Sequence, residues 1–130
     1  MKKTMPTLFL SLFLSLPFVL TAQEKSDWKE MNNFHTLMSA SFHPAEEGNL
    51  KPLQAKSDSL LITAKKWKAS KIPAGFKPAE TAETLTKLVK QLELVNNSVK
   101  AKQDDATLKM QIKEAHEIFH TIVEKCRVGE

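Results

Sequence analysis

Apolar residues return at intervals of three and four along most of the chain, and prolines and glycines break that rhythm in a few places. Trp28, Met31, His35, Met38 and Phe42 share this spacing, with Phe34 and Leu37 widening the stripe. The pattern predicts a first helix from about Asp27 to Phe42, capped at its N-terminus by Ser26. Pro44 disfavours helical geometry at His43, so the helix is expected to stop there. A second helix is predicted after Gly48, with Asn49 as its cap and Pro52 tolerated in the first turn. Leu50, Leu53, Leu60, Ala64 and Trp67 mark its inner face, Leu61 lies beside them, and the segment ends near Ser70.

A longer connection, Lys71 to Pro78, leads to the most regular segment, from about Ala79 to Lys100. Its apolar positions Leu85, Leu88, Leu92, Val95 and Val99 alternate by three and four, the spacing of a heptad seam. A polar turn at Gln103-Asp104-Asp105 offers an aspartate cap to a fourth helix, whose core positions are Leu108, Ile112, Ala115, Phe119, Ile122 and Cys126. Each helix alone is marginal in water, so the stripes must bury one another. Four helices with one longer and two shorter connections predict an all-α fold, an up-down-up-down antiparallel four-helix bundle.

Composition agrees with that reading: the chain has three glycines, no tyrosine and 42% hydrophobic residues, and 130 residues suffice for one modest core. The first residues change the picture. Lys2 and Lys3 precede an apolar run from Leu8 to Leu20, and Thr21-Ala22-Gln23 supplies small residues for cleavage. The run is short for a spanning helix and contains Pro17, so residues 1–22 are expected to be a cleavable signal peptide and residues 23–130 the bundle domain. The mature protein is then periplasmic or secreted, with no stable membrane span. Loss of Lys2 and Lys3 lowers the formal charge from +4 to about +2, which argues against nucleic-acid binding. Cys126, the only cysteine, permits no disulfide within the chain and is expected to be a buried, inert thiol.

The candidate chemistry lies in histidine and methionine. His116 and His120 are four apart on the fourth helix and point the same way, beside the Ile112 and Phe119 stripe. Met31 and His35 are four apart on the first helix. Interpolating along two antiparallel neighbours places Met31 opposite His120 and His35 opposite His116, so four potential ligands would face one level of the core. Imidazole and thioether donors suit a transition metal such as copper or zinc, or haem iron, and not calcium or magnesium. A bare ion would draw on His35, His116 and His120, with Met31 or Met38 as the fourth ligand. The loop cluster His43, Glu46 and Glu47 is expected to stand apart from this site.

With Phe119-His120 ahead of a basic end at Lys125 and Arg127, and Met31 early in the first helix, the chain resembles the cytochrome b562 and cytochrome c-prime class of exported four-helix bundles. The resemblance covers essentially the whole mature length. It implies Met31 and His120 as axial ligands of non-covalent haem b, and a role in electron transfer. Members of the c-prime type attach haem through CxxCH; the stretch His116-Glu117-Ile118-Phe119-His120 has no cysteine, which excludes covalent attachment. His35 and His116 are extra to the b-type pattern and tilt the set towards a bare ion. The expected function is an exported, non-enzymatic metal- or haem-binding bundle, in metal handling or electron transfer. The rival is a cofactor-free interaction or scaffold bundle that meets its partner through an exposed face such as Trp67 and the lysines around it.

Overall fold

The computed structural model describes residues 28–129. The predicted signal peptide and the Ser26 cap lie outside the described residues. Within them are four helices, α1 (Lys29–Glu46), α2 (Lys51–Ala69), α3 (Pro78–Lys100) and α4 (Asp105–Lys125). Asp104 caps α4 as expected, its carboxylate accepting from the Thr107 N–H at 2.9 Å. At α2 the Asn49 side chain accepts from the Lys51 N–H at 3.2 Å, although Leu50 is the boundary residue.

The first helix departs from expectation. It runs on through Pro44 to Glu46, with Ala45 fully buried in its last turn. Pro44 has no N–H to bond the preceding turn. Burial of Phe42 and Ala45 holds the turn helical, and the chain leaves it only at Gly48, whose φ of +90° suits glycine. The extra turn carries His43 on the helix itself, which matters for the site below.

Each helix packs against its sequence neighbours and α4 closes back on α1, while Trp67 of α2 reaches across the core to Phe119 of α4 at 6.0 Å. The directions alternate: Trp28 at the start of α1 donates its indole N–H to Ser70 at the end of α2 (2.8 Å), and Thr84 near the start of α3 lies 3.8 Å from the Cys126 sulfur after α4. The protein is an all-α four-helix bundle.

The predicted stripes form one contiguous core. Leu85, Leu88, Leu92 and Val95 of α3 are buried, as are Leu108, Ile112, Ala115, Phe119 and Ile122 of α4. One polar network crosses the α2–α3 contact: Ser57 donates to the Asn96 carbonyl oxygen (2.9 Å), and the Asn96 amide donates to Asp58 (2.7 Å). One end of the bundle is closed by rings, Trp28 against Trp67 and Phe76 at 5.6 and 5.0 Å. The chain after α4 is tied to the α2–α3 connection by Lys77 N–H to Cys126 O (2.7 Å) and Val128 N–H to Gly75 O (2.9 Å).

This packing corrects one expectation. Trp67 is fully buried and offers no exposed surface, while its neighbours Lys65, Lys66 and Lys68 face solvent. On a helix the indole belongs to the inner face that Leu60 and Ala64 define, and the intervening lysines cover the outer one. No helix among the described residues is long and apolar enough to cross a membrane.

Candidate metal centre

The contact between α1 and α4 is the loosest of the four, and it is filled by aromatic rings and imidazoles. Helices separate according to the side chains between them. Here Phe34 meets Phe119 at 5.6 Å and Phe42 lies face to face with His116 at 3.8 Å, the planes only 10° apart. His35 stacks on Phe119 at 5.2 Å from the solvent side. The edge of this seam gathers the histidines.

His116 and His120 meet as their spacing predicts. Their Nε2 atoms are 3.2 Å apart and their rings are nearly perpendicular, with centroids 4.4 Å apart. The Nδ1 of His120 lies 3.1 Å from a carboxylate oxygen of Glu124, one turn further on. A neutral His120 satisfies both contacts by donating Nδ1–H to Glu124 and accepting the His116 Nε2–H at its own Nε2. A carboxylate that fixes the tautomer of a histidine in this way is the usual support of a metal-ligating imidazole. His116 itself is half-buried. Burial and the neighbouring His120 hold its pKa below the ordinary histidine value of 6.5; His43 and, most weakly, His35 act in the same direction, and Glu46 opposes them. At neutral pH the imidazole is therefore uncharged, the form that binds metal.

The other expected ligands are placed differently. Met31 is 6% exposed and packs in the hydrophobic core, and His35 is exposed on the flank of Phe119. Interpolation put His35 opposite His116, but Phe42, nearly two turns further along α1, takes that place. Of Met31, His35, His116 and His120, the structure brings His116 and His120 into direct contact.

His43 enters instead, its ring 6.5 Å from that of His116. The missed signal was the apolar Ala45 beyond Pro44. It continues the Met38 and Phe42 stripe and marks one more turn of helix, which brings His43 and Glu46 to the seam. Among the described residues, no group of three or more histidine, cysteine or carboxylate side chains is already arranged around a common ion position. The preformed element is the His116–His120 pair.

A haem does not fit these residues. Phe34 packs on Phe119 and Phe42 on His116, so rings occupy the space between the two helices, and Met31 is held in the core. Comparison with family models, curated proteins and solved structures returned no match.

Proposed function

We propose that the chain is an exported, non-enzymatic four-helix bundle that binds a transition-metal ion through His116 and His120, in a metal-handling role. The supporting observation is the 3.2 Å separation of the two Nε2 atoms. Two nitrogens bound to one tetrahedral ion at about 2.0–2.1 Å lie about 3.3 Å apart, so the pair already has the edge length of a coordination site. To admit an ion, His116 changes tautomer, its single ring proton moving from Nε2 to Nδ1 by exchange with solvent, and both Nε2 lone pairs turn to the metal. Glu124 holds His120 in the matching tautomer. Imidazole donors suit Zn²⁺, Cu²⁺ and Ni²⁺. The burial of Met31 argues against thioether-assisted Cu⁺.

A second reading, a cofactor-free interaction bundle, is favoured by the contiguous core. It is built from all four helices and includes Trp28, Trp67 and Phe76 at one end, so the fold needs no bound centre.

Metal-stripped protein expressed from the full chain, titrated with Zn²⁺ and Cu²⁺ by calorimetry, separates these readings. One ion bound per chain, and lost in both H116A and H120A, supports the proposal. No binding, or binding unchanged in the H116A/H120A double variant, refutes it and leaves the cofactor-free bundle. A Soret band on adding haem that depends on Met31 and His120 would instead restore the haem reading.

A further inference from the structure

We infer that an ion held by His116 and His120 recruits His43 and Glu46 from the last turn of α1, so that metal binding staples α1 to α4 across the loosest seam of the bundle. The inference rests on the proposed His116–His120 site and adds to it the remaining ligands and a structural consequence. His43 and Glu46 are three apart in the C-terminal turn of α1, a spacing that puts both side chains on one face. The His43 ring is 6.5 Å from the His116 ring. Two imidazoles on one tetrahedral ion have centroids about 5 Å apart, so the His43 ring must close on His116 by ~1–2 Å and turn a nitrogen to the ion.

Among the described residues, His43 is held by ring contacts, 5.5 Å from Phe42 as well as 6.5 Å from His116. His43 and Glu46 are both exposed, and neither the His43 nitrogens nor the Glu46 carboxylate has a hydrogen bond or ion pair within the described residues. Exposed side chains change rotamer in picoseconds to nanoseconds, so the ion can gather them without moving the backbone. The end of α1 also favours a cation there, because its terminal carbonyls form the negative pole of the helix.

His35 does not share this position. It lies stacked over Phe119 at 5.2 Å. The resulting donor set is three imidazole nitrogens and one carboxylate oxygen, which suits Zn²⁺ or Cu²⁺ and places one negative charge against a divalent ion.

Zn²⁺ titration of the metal-stripped full chain tests the inference, using wild type, H43A, H43Q, E46Q and H35A. Circular dichroism confirms that each variant is folded, as expected for exposed positions. H43A and H43Q should lose at least about tenfold in Zn²⁺ affinity while keeping one ion per chain, E46Q should weaken binding less, and H35A should match wild type. Amide hydrogen exchange reads the staple directly: Zn²⁺ should slow exchange in the last turn of α1 in wild type and not in H43A. If wild type binds Zn²⁺ and H43A binds equally tightly, or the end of α1 gains no protection, the staple is refuted and the two-histidine site stands. If wild type binds no Zn²⁺, both fall together.

Discussion

Asn96 bridges α2 and α3 inside the bundle, and replacing it with alanine exposes how much one buried polar contact contributes. Its side chain accepts from Ser57 at 2.9 Å and donates to Asp58 at 2.7 Å, with Asn96 and Ser57 only 5% and 4% exposed. In N96A the Ser57 hydroxyl keeps its buried position and loses its partner, a penalty of about 1–3 kcal/mol. It can recover part of this by turning to the carbonyl one turn back in α2. The small void left by the amide adds roughly 0.5–1 kcal/mol. The expected total is about 2–3 kcal/mol, or a fall in Tm of about 10–20 °C for a domain of this size.

Thermal and urea unfolding followed by circular dichroism measure the N96A loss. The decisive variant is S57A/N96A, which removes both partners and should be more stable than the sum of the single losses by about 1 kcal/mol or more. Strict additivity would refute the claim that the Ser57–Asn96 bond stabilises the fold. The same variant carries a pH signature. The Asn96 hydrogen bond is the first cause, and Lys100 the second, of an Asp58 pKa below its usual 3.8. A depressed carboxylate pKa contributes stability that is present above the unfolded value and lost as pH falls through the folded one. Stability of N96A should therefore change less between pH 4 and lower pH than that of wild type.

The remaining predictions concern the seam and the lone thiol. His116 has a folded pKa below its unfolded value of 6.5, in an environment set by His120 on α4 and by His35, His43 and Glu46 on α1. Below pH 6.5 the unfolded chain takes up this proton more readily, so the metal-free protein should lose stability as pH falls through the depressed value. H116Q should flatten that part of the profile, and an unchanged slope would refute the assignment. Cys126 is 2% exposed beside Thr84, so a thiol reagent should label native protein at the rate of local opening and denatured protein at once. Rapid labelling of the native state would show that the segment bridging Phe76 and Arg127 does not hold.

Local pattern carried the helices. Spacings of three and four place side chains on a face whatever the helix packs against, so the α3 seam from Leu85 to Val95 and the α4 core from Leu108 to Ile122 could be read directly. The Asp104 cap is equally local, a side chain meeting an N–H three residues on. The same locality delivers the His116–His120 pair, because positions four apart on one helix need no other element to bring them together.

The rest was settled between helices. A 3.6-residue period names the face of a helix and leaves open both its axial offset against a neighbour and the depth of each position on the stripe. Taking Pro44 as a stop removed a turn from α1, and the interpolated level paired His35 with His116 where the structure sets Phe42. Burial of Ala45 kept that turn helical and brought His43 towards His116, while His35 was left on the outer side of Phe119 and Met31 went into the core. The sequence alone thus determined the four helices, the faces they bury and one pair of adjoining histidines. Which residues of α1 stand against that pair was decided by the interlocking of Phe34, Phe42 and Phe119 across the seam, because close-packed rings set the offset between two helices and no single helix encodes it.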